Sequence, residues 1–404
     1  MKKLPLVAAS IMLATATLSP YAYAAPSHSA QHSCLHESDA LGTLNSYLES
    51  INSRNWMSVL SYICKDEKQA YSDYFDDESQ TNGLKQITDL KLQHVYTVPD
   101  SMMDDYFSNN DGSEIPNGSI LKSYIVAFDC DVSTENQYFY NGINYQLVTL
   151  INENGSYKIY HSSRPTNKLM NDIVSSTNLS LDEKKAVDAV ISCNNGLLKN
   201  ANGDTISHGF KTVTVSSLED ESSSQTNSWP TLKHYASYSY PSSINVKLKS
   251  GGIKPVSMSS YIKCTLPNEW MASWPTESLK AGAYCVKMVG IYHTLNPVNS
   301  NLGYDVTQTT QNYIPNSNNS RTDHIIDALK NHGMGDSLYH IFFPSYGRGS
   351  SGKVGSKSSG RLLQYGSKKL AEEGHTHKYI LNYYYSNSSA SQADINLFTY
   401  SIGF

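Results

Sequence analysis

The stretch from residue 261 to residue 293, YIKCTLPNEWMASWPTESLKAGAYCVKMVGIYH, constrains the fold of this chain more than any other segment. Apolar residues leading into it predict a strand from Val256 to Leu266, and Pro275 predicts the first turn of an amphipathic helix. Glu269 falls in the loop between these elements, next to Trp270. Because apolar walls raise the pKa of a carboxyl, Glu269 is a candidate catalytic acid, although most glutamates in loops are solvated surface groups.

The N-terminus is typical of a secretory signal peptide. Lys2 and Lys3 precede a mostly apolar run, residues 4–18, that is too short for a typical membrane span, and Ala22–Ala24 matches an A-x-A cleavage site. We therefore expect residues 1–24 to be removed and the product to be secreted and associated with the cell wall, without a transmembrane anchor. The chain has 31 basic and 36 acidic residues, and this negative balance argues against a general nucleic-acid binder.

All six cysteines follow the predicted signal peptide, which fits an oxidising exterior. Their positions suggest three disulfides within domains, while the sequence leaves other connectivities open; the suggested pairs are Cys34 with Cys64, Cys130 with Cys193, and Cys264 with Cys285. The sequence has no C-x-x-C motif, which argues against a zinc knuckle or a thioredoxin-type site.

The spacing of apolar and turn residues over 38–165 predicts one small α+β domain. Apolar residues recur at helical spacing on both sides of a break at 52–55, which indicates two helices. A predicted hairpin turn at Asn152–Gly155 joins the last two of four strand-like runs, which lie at residues 90–98, 120–132, 143–151 and 156–161. This order resembles the cystatin-like or nuclear-transport-factor-like cone fold, which implies an accessory binding or spacer domain without catalytic residues.

Residues 166–236 connect this domain to the C-terminal one. Ser180 begins a predicted capping box at the start of a helix over 181–198, and a strand pair is expected within 203–215. The polar, Ser-rich stretch 216–230 predicts a linker, and we place the domain boundary there.

The C-terminal domain, residues 237–404, also combines strands and helices. After the segment around Glu269, the pattern predicts a short helix, a strand, a mobile Gly-rich loop and a helical hairpin, at residues 322–331, 338–344, 347–360 and 366–385 respectively. The predicted fold class is therefore α+β in both domains.

Three ordered blocks of this domain resemble the stage II sporulation protein D / LytB family, the SpoIID domain. The first carries LPNEW, SWP and LKAGA within residues 261–293, the second is YDVTQTT at 304–310, and the third is GRLLQYG at 360–366. The resemblance covers roughly residues 237–390. It implies a SpoIID-type α+β domain with a helical C-terminal hairpin.

Resemblance to this family implies that the substrate is peptidoglycan and that the protein is a lytic transglycosylase with Glu269 as catalytic acid and base. In such an enzyme the C6 hydroxyl of the sugar is the nucleophile, so one carboxyl suffices and the product carries 1,6-anhydromuramyl ends. A hydrolase would use two carboxyls. The alternative is a non-catalytic protein that binds the wall and stimulates a cell-wall amidase, as the LytB branch is described.

The same resemblance implies substrate-binding roles for five residues, and Trp270 is a sixth candidate because it adjoins the acid. These are Trp270 as a platform for a sugar ring, Gln364 and Tyr365 along the groove, Tyr346 and Arg348 near the acid, and Lys287 on the helix. Ordinary structural roles are the alternative, since a loop arginine is commonly solvated and a glutamine often hydrogen-bonds to a buried backbone group. Trp274 is expected in the core beneath the loop.

No cofactor and no metal are expected. Some family members bind zinc through clustered His and Cys late in the domain, but no cysteine follows Cys285 in this sequence. His375 and His377 fit a helix cap and a surface pair better than a ligand pair.

Overall fold

The computed structural model describes residues 28–103, 121–217, 237–388 and 394–400. Helices and strands are mixed within these ranges, which confirms the predicted α+β class. The predicted signal peptide lies outside the described residues. Within them, no helix is both long and apolar enough to cross a membrane.

The N-terminal module consists of helices followed by a four-stranded antiparallel sheet whose strands are hydrogen-bonded in chain order. The elements are α1 (His28–Asn52), α2 (Trp56–Tyr62), α3 (Lys65–Asp76), β1 (Ile87–Val98), β2 (Leu121–Val132), β3 (Gly142–Glu153) and β4 (Ser156–Ser163). Apolar side chains of all three helices and of the sheet form one core. The two predicted helices and four predicted strands are confirmed, whereas α3 is not among the predicted elements.

The β3–β4 hairpin forms where the sequence predicts it. Asn154 and Gly155 have positive φ angles of 53° and 84°, the left-handed conformation that this tight turn requires. Asn152 Oδ1 accepts a 3.0 Å hydrogen bond from Gly155 N, which closes the turn. The turn thereby sets the register in which β4 returns along β3.

A second antiparallel sheet crosses the predicted domain boundary. Its strands, in spatial order, are β10 (His332–Gly335), β13 (Asn396–Tyr400), β5 (Phe210–Ser217) and β6 (Ser237–Pro241). Most of the Ser-rich stretch lies outside the described residues, but β5 ends with its first two residues and pairs with β6 and β13, which follow the stretch. Residues 210–217 therefore belong to the C-terminal sheet.

Two helices lie between β4 and β5, namely α4 (Asn167–Ser176) and α5 (Leu181–Asn194). The predicted capping box at the start of α5 is confirmed, because Ser180 and Glu183 each accept a hydrogen bond from the other's backbone N–H. Helix α5 ends four residues before the predicted end, and only β5 forms from the strand pair predicted within 203–215.

A long helix, α8 (Thr276–Leu295), occupies the centre of the C-terminal part and is buried on nearly every side, rather than along one stripe. Pro275 is its N-cap residue, not its first residue. The other elements are β7 (Ser243–Lys247), β8 (Ile253–Ser257), α6 (Met258–Lys263), α7 (Leu266–Glu269), β9 (Val306–Thr307), α9 (Ser320–Ala328), β11 (Tyr346–Gly347), β12 (Leu362–Leu363), α10 (Gln364–Glu372) and α11 (His377–Tyr385). Helices α10 and α11 confirm the helical hairpin.

Two predicted strands of the C-terminal part are wrong. The strand expected from Val256 to Leu266 ends at Ser257, whose side chain caps helix α6. Met258 and Ile262 lie four residues apart and are both buried, which is the spacing of one helix face. The strand expected at 338–344 is irregular, and the strand of this region is β10 instead.

The suggested disulfides are not supported. Five cysteines, Cys64, Cys130, Cys193, Cys264 and Cys285, are free and buried, while the side chain of Cys34 lies outside the described residues. Cys264 follows a helix instead of ending a strand, and the Cys285 thiol contacts Tyr385 Oη at 3.4 Å. Burial raises the pKa of Cys285 to about 12, so this thiol is unreactive near neutral pH.

Candidate functional site

Glu269 is the last residue of the four-residue helix α7, not part of an open loop. The chain turns to extended backbone at Trp270 (φ −115°, ψ 127°), so the helix stops directly after the acid. The Glu269 side chain is half-buried. Asn268 fixes the turn from the other side, because its Nδ2 donates to the Cys264 carbonyl and to Ser317 Oγ, both at 2.7 Å.

Three uncharged side chains lie at the Glu269 carboxylate. Gln364 Nε2 donates to Glu269 Oε2 at 2.8 Å from the first residue of α10. Tyr346 on β11 and Asn312 in the loop after β9 lie close enough to lower the pKa of the same carboxyl. The site is thus assembled from four separate segments of the C-terminal part.

Tyr346 belongs to a chain of hydrogen bonds whose direction is fixed. Tyr261 Oη donates to Gln311 Oε1 at 2.9 Å, and Gln311 Nε2 donates to Tyr346 Oη at 3.1 Å. Because the Tyr346 oxygen already accepts this bond, its own hydrogen is available for the Glu269 carboxylate. This chain of hydrogen bonds therefore leaves the Tyr346 hydroxyl hydrogen free to point towards Glu269.

The pKa of Glu269 is raised above its ordinary value. Burial is the largest cause and raises it, while the hydrogen bonds from Gln364, Tyr346 and Asn312 lower it. Within the described residues, the groups that shift this pKa are all neutral, so neither a second carboxylate nor a cation determines it. A half-buried carboxyl with a raised pKa keeps its proton to higher pH than an exposed one, and it can deliver that proton and then take one back.

Trp270 lies in the core beneath the acid instead of facing a groove. Its side chain is 0% exposed, and its Nε1 donates to Ser367 Oγ at 3.2 Å. Helix α8 leaves space for the indole at Gly282, where a Cβ atom would lie 2.6 Å from the ring. The indole has no face free for a sugar, so the predicted stacking role of Trp270 is wrong.

Trp274 is also buried, as predicted, at 6% exposure. Tyr365 packs on it with a distance of 5.1 Å between ring centroids, and Lys368 Nζ lies 5.8 Å from the centroid of the Trp274 ring. Tyr365 is half-buried, so part of this aromatic pair faces solvent next to Gln364. Tyr365 is therefore better placed than Trp270 to contact a substrate.

Arg348 lies close to this edge. Its carbonyl accepts a 3.1 Å hydrogen bond from Tyr365 N, which places the backbone of the Gly-rich loop beside α10. The Arg348 side chain is exposed. Of the six predicted binding residues, Gln364 bonds to Glu269 and Tyr346 lies close enough to lower its pKa. Tyr365 follows Gln364 in the chain and bonds to the Arg348 backbone.

Lys287 does not belong to this group, because it is buried and bonded to backbone. Its Nζ donates to the carbonyls of Leu329, Lys330 and His332, just after the end of helix α9. Burial lowers the pKa of Lys287 to about 7, and three carbonyl acceptors compensate for the lost hydration of the ammonium. The predicted substrate-binding role of Lys287 is wrong, since its hydrogens are already used.

Two residues near the acid, Gln311 and Asn312, are missing from the sequence-based prediction. Gln311 is buried, and Asn312 has a φ of 43°. Asparagine tolerates this left-handed conformation better than most residues, so an Asn within an amide-rich loop was the available signal. Sequence reasoning had no means of placing that loop beside Glu269.

The two candidate zinc ligands have other partners. His377 Nδ1 and its backbone N both lie 2.7 Å from Glu277 Oε2, which joins the start of α11 to the start of α8. His375 stacks on Tyr379 with a centroid distance of 4.0 Å. The described part of the chain contains no cluster of three His, Cys, Asp or Glu side chains that could hold a metal ion.

A scan of the chain against protein-family models gives no match, and neither does a search of curated proteins. The functional conclusion therefore depends on the three sequence blocks and on the geometry around Glu269.

Proposed function

We propose that this protein is an exported lytic transglycosylase that cleaves peptidoglycan glycan strands, with Glu269 as its only acid and base. The observation that carries the proposal is the environment of this carboxyl. It is half-buried, its pKa is raised, and neutral donors surround it with no second carboxylate among the groups that shift its pKa. A reaction in which the C6 hydroxyl of the substrate is the nucleophile needs only one such carboxyl.

The proposed reaction has two proton transfers at one carboxyl. Protonated Glu269 gives its proton to the glycosidic oxygen as the bond from that oxygen to C1 of the muramyl sugar breaks. The resulting carboxylate then accepts the proton of the C6 hydroxyl, whose oxygen bonds to C1. The products are a free N-acetylglucosamine hydroxyl and a 1,6-anhydromuramyl end, and Glu269 regains its proton.

The sequence resemblance supports the same assignment. Glu269 lies in the first of the three SpoIID-like blocks and Gln364 in the third, and the two side chains are hydrogen-bonded at 2.8 Å. On this proposal Tyr365 and Arg348 line the edge of the groove. The exposed guanidinium of Arg348 has the charge to meet the lactyl carboxylates of the glycan.

Incubation of the purified mature protein with peptide-free glycan strands tests the proposal. We expect mass spectrometry to detect 1,6-anhydromuramyl ends with the wild type and none with Glu269→Gln. Glu373→Gln is the matched control, because Glu373 pairs with Lys369 on the surface of the hairpin. Products with ordinary reducing ends would indicate a hydrolase, and full activity of Glu269→Gln would remove Glu269 from the mechanism.

Inactivity of the wild type on both peptide-free and intact peptidoglycan would reject the enzyme. A pull-down on insoluble peptidoglycan, followed by an amidase assay with and without the protein, then identifies an activator. Glycan binding together with a faster amidase would establish that role.

A further inference from the structure

Residues 299–313, here called the bridging segment, connect the core of the N-terminal module with the Glu269 site. The first part of the segment is inserted into that module. Asn301 is 2% exposed, and its Nδ2 donates to Tyr47 Oη at 3.0 Å and to Tyr71 Oη at 3.1 Å. Its carbonyl accepts a 2.8 Å bond from Leu84 N. The side chain of Asn301 therefore joins helices α1 and α3, and its backbone joins the turn just before β1.

The backbones approach each other here as closely as sterics allow. Gly83 of the module and Gly303 of the bridging segment both have φ angles of 71°. A Cβ atom on Gly83 would overlap the Asn301 carbonyl oxygen, and a Cβ atom on Gly303 would lie 2.8 Å from Asn82 Cβ. Leu302 is wholly buried in the core of the N-terminal module. The segment can shift little at this point without a steric clash.

Asp305 forms the next connection. This residue is 0% exposed, and its carboxylate accepts bonds from Gln137 Nε2 at 3.1 Å and Tyr138 Oη at 2.9 Å, both from the module. Its other oxygen accepts a 2.7 Å bond from Asn245 N on β7 of the C-terminal part. One buried carboxylate thus joins both parts of the protein to the bridging segment.

Only six residues separate this connection from the site. Strand β9 pairs in parallel with β7, and the chain then turns so that Tyr313 N donates to the Gln308 carbonyl at 3.1 Å. Gln311 then bonds to Tyr261 and Tyr346, and Asn312 lies close enough to Glu269 to lower its pKa. The contacts missing from the sequence-based prediction are thus on the segment that is anchored in the N-terminal module.

We propose that the N-terminal module is a positioning element of the Glu269 site, and that Asn301 and Asp305 are positioning residues that act through Gln311 and Asn312. This role differs from the independent binding or spacer domain that the sequence predicts for residues 38–165. The consequence for catalysis rests on the proposed function, but the structural coupling does not. A measurement on Glu269 itself can therefore test it.

The experiment is a carboxyl carbon-13 NMR titration of the full mature protein, with the Glu269 signal assigned by its loss in Glu269→Gln. The variants are Asn312→Ala, Asn301→Leu and the gentler Tyr71→Phe. The bond from Asn312 lowers the pKa of Glu269, so its removal raises that pKa. We expect Asn301→Leu, and more weakly Tyr71→Phe, to raise the pKa of Glu269 in the same direction as Asn312→Ala.

Ser123→Ala is the matched control. It removes a buried hydrogen bond of 3.0 Å to Thr149 inside the module's sheet, away from the bridging segment. We expect the Glu269 titration of this variant to equal that of the wild type. If Asn301→Leu fails to fold, Tyr71→Phe decides the question.

The proposal is overturned if the folded anchor variants titrate like the wild type, or if Ser123→Ala shifts Glu269 as far as they do. If the glycan assay finds activity, kcat should fall in Asn301→Leu with little change in KM, because Glu269 is misplaced while the groove remains. If that assay finds no activity, the titration still tests the coupling, so failures of the two proposals are distinguishable.

Discussion

Gln364 Nε2 donates a 2.8 Å hydrogen bond to Glu269 Oε2 across 95 positions of the chain. The donor is the first residue of α10 and the acceptor is the last residue of α7, so two helix ends meet at one carboxyl. Since Gln364 is neutral, it stabilises the carboxylate without supplying the charge of an ion pair. Glu269 therefore keeps a raised pKa although Gln364, Tyr346 and Asn312 lower it.

The first prediction concerns Gln364→Leu, which keeps the approximate volume and removes the donor. The bond from Gln364 lowers the pKa of Glu269, so its loss should raise that pKa further. An acid catalyst loses activity as pH rises through its pKa, so the alkaline limb of the pH–rate profile should move to higher pH. The rate at the optimum should fall about tenfold, the effect of roughly 1.5 kcal/mol from one lost bond to a charged group.

Gln69→Leu is the control for this variant. Gln69 lies on the exposed surface of helix α3, and its Nε2 donates a 2.7 Å bond to Asp73 Oδ1, not to a group of the site. We expect its pH–rate profile to overlay that of the wild type. An alkaline limb of Gln364→Leu that stays in place, or moves to lower pH, would contradict the assigned role of Gln364.

The second prediction separates a structural from a binding role for Lys287. Lys287→Met leaves the three carbonyls without their donor in a buried site, so the free energy of unfolding should fall by about 2–4 kcal/mol. Lys369→Met, which breaks a surface pair with Glu373, should cost less than about 1 kcal/mol. Urea unfolding measures both. If Lys287→Met is as stable as the wild type but binds glycan weakly, the predicted binding role is restored.

Local sequence patterns predicted the secondary structure of the N-terminal module well. Alternating residues and the Asn152–Gly155 turn each depend on neighbours along the chain, so the strands and their hairpin follow from nearby residues alone. The strand expected from Val256 to Leu266 failed because Ser257 starts a helix by capping it. Its apolar run suits a buried helix as well as a strand, and periodicity alone does not separate the two.

The candidate site was predictable in part. Glu269, Tyr346 and Gln364 lie in distinctive motifs, and the structure brings their side chains together. Trp270 and Lys287 also lie in motifs, but both are buried. Their burial follows from helix α8 being surrounded on all sides, whereas the sequence predicted an amphipathic helix with one exposed face. The position of Asn312 depends on contacts with a module more than 150 residues earlier, and no local pattern encodes them.

The third prediction concerns the pH dependence of stability through Asp305. Burial raises the pKa of Asp305 to about 7 in the folded protein, against an ordinary value of about 3.9 in the unfolded chain. A folded pKa that is higher than the unfolded one means that folding favours the protonated form. The stabilisation that comes from protonated Asp305 is complete below about pH 4 and is lost as pH rises towards 7.

Asp305→Asn removes the titrating group. The stability difference between wild type and variant should therefore decrease as pH rises from 4.5 to 7.5, by an amount of the order of 2–3 kcal/mol in urea unfolding. Asp327→Asn on the surface, which loses only an exposed pair with Lys263, should differ from the wild type by less than about 1 kcal/mol throughout. A difference that is constant with pH, or that increases, would show that Asp305 stays ionised in the fold.

The fourth prediction concerns the packing of helix α8 beneath the acid. A Cβ atom on Gly282 would lie 2.6 Å from the Trp270 ring, and the 0% exposed indole cannot move outward without disturbing the adjoining Glu269. Gly282→Ala should therefore lower the free energy of unfolding by about 1–3 kcal/mol, although alanine is the better helix former.

Gly42→Ala is the matched control, because Gly42 lies in helix α1 with no atom within 4 Å of its Cβ position. In that control the free energy of unfolding should rise by about 0.5–1 kcal/mol. Thermal unfolding of both variants checks the signs, and equal stabilisation by the two substitutions would refute the tight contact between α8 and Trp270.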